Sequence, residues 1–151
     1  MLKQKEILKA VIALIKTKYP AETTKYYTDE IVEGFIQPCF FVKLIKTRNT
    51  ETKNVNSNSI AIILTYFADT TVNKQLAFLD TEDDINLIFG VGIQVGTRYL
   101  HIKNIQPERI GEEQDILQVT ISIDYLDSTG YDPNAGYDLM QHLNQNVVNK
   151  Y

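Results

Sequence analysis

The sequence predicts an α+β domain: an antiparallel sheet with a long β-hairpin, and helices packed mainly on one face. Three observations lead there. Apolar residues near the N-terminus recur at helical spacing, three later segments alternate apolar and polar residues with period two, and a second helical stretch lies between them. The order helix, strands, helix, strands then gives a small α+β domain.

The elements follow in turn. Over residues 2–18, Leu8, Val11, Ile12 and Ile15 fall at i, i+3, i+4 and i+7 and form one apolar stripe, which Ile7 and Leu14 widen. Pro20 stops this helix, because the residue before a proline is pushed away from helical angles. A short strand is expected at 25–28. Residues 39–47 alternate, with Phe40, Val42 and Leu44 on one face and Cys39, Phe41, Lys43 and Ile45 on the other. Pro38 suits a strand start, where its missing N–H costs least. The polar run RNTETKNVNSNS at 48–59 reads as a mobile hairpin loop, and 59–68 reads as the returning strand.

Residues 71–90 return to helical spacing. Leu76, Leu79, Asp83 and Leu87 do not merge with Phe78, Ile85, Ile88 and Phe89 into one stripe. A break near Thr81 is therefore expected, with the Thr81 hydroxyl as N-cap of a second piece. Gly90 and Gly92 end the helix. Residues 98–105 form a strand with Leu100 and Ile102 on one side and Tyr99, His101 and Lys103 on the other. Gly111 makes a turn. Leu117, Val119, Ile121, Ile123 and Tyr125 then alternate with polar residues in a half-buried antiparallel strand. The expected division is a domain over 1–126 and a C-terminal extension over 127–151. In the extension, Leu139, Met140, Leu143, Val147 and Val148 outline a short amphipathic helix that either packs on the chain's own sheet or orders on a partner.

Composition limits the function classes. With 151 residues the chain is about one domain long. Its net charge is −4 and its pI about 5.1, which argues against nucleic-acid recognition. The longest apolar run falls far short of the ~20 residues that cross a bilayer. One cysteine makes no internal disulfide and fits a reducing compartment. With no signal-peptide pattern at the start, the expectation is a soluble, intracellular protein. The cations Lys43, Lys46, Arg48 and Lys53 gather around the polar loop, and acids gather at 82–84 and at Glu108, Glu112, Glu113 and Asp115. Either this is ordinary solvated surface, or opposite edges let copies of the chain meet side to side.

No catalytic or metal constellation is complete. A nucleophilic Cys39 would need a base and a lowered pKa, yet it starts a strand between Pro38 and Phe40, and neither His101 nor His142 sits in a recognisable motif. Cys39 reads instead as a packing residue, with Phe40, Val42 and Leu44 as core. One cysteine and two scattered histidines lack zinc-site spacing. GVGIQVG at 90–96 follows a helix, whereas a phosphate loop must open one, so it reads as a helix stop and a turn. DTEDD at 80–84 lacks the spacing of a calcium loop and reads as a solvated helix start. The expectation is no enzyme, no cofactor and no metal. The nine tyrosines suit interfaces and half-buried positions alike.

The stretch EGFIQPCFFVKLI resembles a segment of the phage tail terminator family of contractile-tailed phages and phage tail-like bacteriocins. Gly34, Phe35, Pro38, Cys39, Phe40, Phe41 and Val42 carry the likeness, and IAIILTYF, LIFG, VGTRYLHI and LQVTISIDY follow in the family's order. The resemblance spans roughly residues 3–126. It implies a tail-terminator-like fold and a ring, commonly a hexamer, that caps the head-proximal end of the tail and stops tube and sheath polymerisation. The implied partners are further copies of the chain, tube and sheath proteins, and neck or connector proteins. The implied setting is the bacterial host cytoplasm during assembly, then the virion or tailocin particle. On this reading Lys46, Arg48, Lys53, Asn54, Asn56, Glu112 and Glu113 are the expected subunit or tube interface. A head–tail connector or other neck protein remains the nearest alternative. A small-molecule-binding or enzymatic domain would require a deep pocket.

Overall fold

A computed structural model of the chain describes residues 1–28, 34–69 and 73–132. Helix α1 spans Gln4–Lys16, β1 Lys25–Tyr27, β2 Cys39–Thr50, β3 Val55–Phe67, α2 Lys74–Phe89, β4 Gly92–Val95, β5 Arg98–Ile110 and β6 Ile116–Ser128. The strands form one six-stranded sheet in the order β1-β2-β3-β6-β5-β4. All neighbours run antiparallel except β1, which pairs parallel with the first three residues of β2, so the α+β sheet is mixed.

The apolar stripe of α1 buries Ile7, Val11 and Ile15. Glu6 Oε2 accepts from the Lys3 backbone N–H at 3.2 Å and closes the helix start. The alternating strands bury one parity: Phe40 and Val42 on β2, Ile60, Ile62 and Leu64 on β3, and Leu117, Val119, Ile121 and Ile123 on β6. These positions are direct cross-strand partners, Val42 with Leu64 and Leu64 with Val119, so they share a face. They join the inward residues of both helices in one core, with Leu44 half-buried at its margin.

The structure corrects four expectations. Residues 48–59 are mostly strand, and only 51–54 form the turn. Strand β2 runs on to Thr50 and β3 starts at Val55, with Arg48 opposite Asn58 and Thr50 opposite Asn56. This part of β3 is also paired to β6 on its other side, Val55 to Ser128. Backbone pairing on both sides holds a polar segment that composition assigns to a loop.

The second correction concerns α2, which is one unbroken helix. Its N-cap is Asn73, whose Oδ1 accepts from Gln75 N at 3.1 Å. Thr81 lies mid-helix, buried, and its hydroxyl donates to Ala77 O at 2.8 Å. The two apolar rows that suggested a break lie on opposite sides of one helix. Phe78, Thr81, Ile85 and Phe89 face in, while Leu76, Leu79 and Leu87 face out. Third, the acids at 82–84 consequently sit in mid-helix, not at a helix start.

Fourth, residues 90–96 contain a strand. After Gly90 stops α2 at φ +55, β4 pairs with β5, Gly92 opposite His101. A Cβ at Gly92 would lie 2.5 Å from the Tyr99 ring and 2.6 Å from Leu100 O, so only glycine fits. Between Ile102 and Asn104 a β-bulge absorbs one residue, which returns Ile105 to the face of Ile102, opposite Ile121.

Candidate interaction surfaces

Cys39 is fully buried, and its partner in the ladder is Phe67. It shares the outer face of the sheet with Phe41 and Phe67, over which Phe35 packs at 5.6 and 4.7 Å between ring centroids. Burial pushes its thiol pKa up to about 11. That shift favours the protonated thiol, the less nucleophilic form, at neutral pH. Among the described residues no group of three or more His, Cys, Asp or Glu is placed to hold a metal ion.

The end of the β2–β3 hairpin is built by three segments. Lys46 Nζ stands 5.9 Å from the centre of the Tyr125 ring, and the Arg98 guanidinium lies 5.4 Å from the same centre. In the amide orientation that satisfies both of its side-chain atoms, Asn56 accepts from Arg48 Nε at 2.9 Å and donates to Asp127 O at 3.2 Å. Lys53 Nζ lies 4.4 Å from the Tyr131 ring centre. The carbonyls of Lys53 and Asn54 accept from Thr129, from its hydroxyl at 2.7 Å and its N–H at 2.9 Å. The chain leaving β6 is thus laced to the hairpin tip. Beneath it, Asn58 and Tyr125 are buried, and Asn58 Oδ1 and the Tyr125 hydroxyl have no hydrogen-bond partner among the described residues.

Asp127 organises this end, and sequence reasoning missed it by setting it in the extension. Its Oδ2 accepts from Leu2 N at 2.6 Å, and its Oδ1 accepts from Arg98 Nη1 at 3.0 Å and Ser128 N at 2.8 Å. Burial alone would raise its pKa. The Leu2 and Ser128 N–H groups, the N-terminal ammonium and Arg98 outweigh that and hold it below the usual carboxylate range. The signal was present in the sequence, since Asp127 continues the buried parity of Leu117 to Tyr125.

Glu112 and Glu113 lie exposed in the β5–β6 turn, which Gly111 opens at φ +91. Neighbouring charges are engaged. Asp115 faces Lys74 at 3.7 Å, and Arg109 bonds Glu82 Oε1 and Gln75 Oε1, each at 3.1 Å, while covering Phe78 at 4.7 Å. Asp84 accepts from the Tyr19 hydroxyl at 2.6 Å, an in-chain role for one of the acids at 80–84. The register places this turn at the start of β6 and the hairpin tip at its end, ~40 Å apart for a strand of this length. The structure therefore does not bring the predicted basic and acidic residues together within one chain. It sets them at opposite ends of the sheet. Leu139, Met140, Leu143 and Val147 lie outside the described residues.

Against known proteins, a sequence model of the family described as phage tail terminator protein matches residues 6–134. No match was found among curated protein sequences. One solved structure, of a protein identified by a sequence label alone, overlays with a TM-score of 0.45 at 14% identity, covering 87% of this chain and 99% of that one. At that level of similarity the overlay carries no argument.

Proposed function

The chain belongs to the phage tail terminator family, and from that premise we propose that it closes into a ring, six copies by the family's habit, that caps the head-proximal end of the tail tube and sheath. The cap stops both polymers from growing. The observation that carries this reading is the family match over residues 6–134. A tail structural protein of this kind associates with tube or sheath components and works through surfaces. The geometry supports that: the chain offers a polar, cation-bearing hairpin end and, at the far end of the sheet, an exposed acidic turn. We assign contact with the tube or the next copy to Lys46, Arg48, Lys53 and Asn54, with buried Asn56 holding Arg48 in place, and the oppositely charged contact to Glu112 and Glu113. Heterologous contacts of this sort close a ring when the rotation between copies closes. The protein acts first in the host cytoplasm and then as part of the particle.

The test is deletion of the gene from the particle-producing genome, with the products imaged by negative-stain electron microscopy. Overlong or unsheathed tubes of irregular length are expected. Tails of normal length that fail to join heads would instead make this protein a connector, and intact particles would remove it from tail completion. We further assign the C-terminal segment to the sheath or neck. A chain cut after Asp132 keeps β6 and Asp127, so it should end tubes at the right length yet fail to complete that joint. Fully joined particles from the cut chain would refute this assignment.

A further inference from the structure

Helix α2 is apolar on two sides. Its inner row is buried in the core, while the outer row of Leu76, Leu79 and Leu87, continued by Val91 just past the helix, is 60%, 52%, 81% and 72% exposed. A contiguous exposed apolar row marks an interaction surface, and among the described residues nothing covers the outer row. Asp80 and Asp83 stand exposed within this row, one helical turn apart, with no cation against them among the described residues. The surface that fits must be apolar and basic. Within this chain the hairpin cations are engaged, Lys46 on Tyr125, Lys53 on Tyr131 and Arg48 at Asn56. On α1, by contrast, Lys5 and Lys9 are exposed with neither an anion nor a ring against them among the described residues. They too stand one turn apart, beside half-buried Leu8 and Ile12.

We propose that the outer face of α2 docks on the outer face of α1 of a neighbouring copy, with Asp80 and Asp83 of one chain meeting Lys5 and Lys9 of the next. The leucines supply the buried area, and the charges choose the partner and its register. Because the two faces differ, each copy offers one and accepts on the other, and the contact runs on from copy to copy until a ring closes. This assignment rests on the ring reading above and adds a helix-to-helix contact between neighbouring copies to the charged one assigned there.

The test measures self-association of the full chain by sedimentation velocity. Asp80→Lys with Asp83→Lys, Lys5→Glu with Lys9→Glu, and Leu76→Asp with Leu87→Asp should each weaken association about tenfold or more. All six positions are exposed or on outer faces, and circular dichroism verifies that each variant folds. The decisive variant carries both charge reversals in one chain, Lys5→Glu, Lys9→Glu, Asp80→Lys and Asp83→Lys. It should regain association, which repair of a merely damaged fold would not produce. An equimolar mixture of the two charge-reversed chains should also associate. The proposal is overturned if the fourfold variant stays as weak as its parents, if the leucine variants associate like the wild type, or if the wild type remains monomeric at every concentration reached. Overlong tails from the gene deletion together with unaffected charge variants would sink this contact and leave the terminator reading intact. Rescue by the fourfold variant together with normal tails would do the reverse.

Discussion

Cys39 shows how burial decides chemistry at a single side chain. It is fully buried opposite Phe67, and that burial raises its thiol pKa, so its contribution is one of packing. Cys39→Ser should cost about 1–3 kcal/mol in urea unfolding, because a hydroxyl loses water there without an assured partner. Loss of tail capping at unchanged stability would contradict this. Asp127 is the opposite case, a buried charge that the fold needs. Its folded pKa lies below the unfolded value near 3.9, so its stabilisation is complete above about pH 4 and fades as pH falls through the folded value. Asp127→Asn should therefore be about 1.5–3 kcal/mol less stable than the wild type at pH 7. The gap should narrow below about pH 4, and thermal melts showing a constant gap from pH 7 to pH 2 would refute the assignment. The parity of β6 made the burial of Asp127 legible in the sequence. Its partners Leu2 and Arg98 were not, because they stand 125 and 29 positions away along the chain.

Elements were legible where one local period dominates. Helix α1, the alternation of β2 and β6, and the Gly111 turn follow directly from spacing. The hairpin end and α2 did not, for two different physical reasons. At the hairpin end, polar Asn and Ser residues lie in a ladder whose other members, Tyr125 to Ser128, are distant in sequence. Deleting residues 49–57 thus removes paired strand on both sides of the turn. It should lower Tm by more than about 10 °C, several kcal/mol for a chain of this size, where a loop deletion would leave Tm nearly unchanged. In α2, two apolar rows cancel the one-sided signal of a helix. Their energetic roles differ sharply. Phe78→Ala should cost about 3–5 kcal/mol by opening a core cavity, whereas Leu87→Ala should change the stability of the isolated chain by less than about 0.5 kcal/mol. Equal losses in chemical denaturation would mean that the outer row is covered within the single chain.

At the scale of the whole molecule, fold class, family and the separation of basic from acidic edges were readable in the sequence; the strand register that produces the separation was not. The cations at 43–53 and the acids at 108–115 lie far apart in the sequence, and the register of β3, β6 and β5 keeps them apart, at opposite ends of one sheet. That separation makes the two ends of the strands unequal in charge: Glu108, Glu112 and Glu113 gather at one, while Lys46, Arg48 and Lys53 share the other with Glu51 and Asp127. A chain approaching a charged head-proximal tail end would feel a torque before it touches, at separations of about a Debye length, ~8–10 Å in physiological salt. Which way up each copy lands would then be settled during approach, not by trial after contact. If the proposed cap forms, high salt would leave a finished one in place while making newly arriving copies indifferent to direction, so that assembly slows through wrong-way landings.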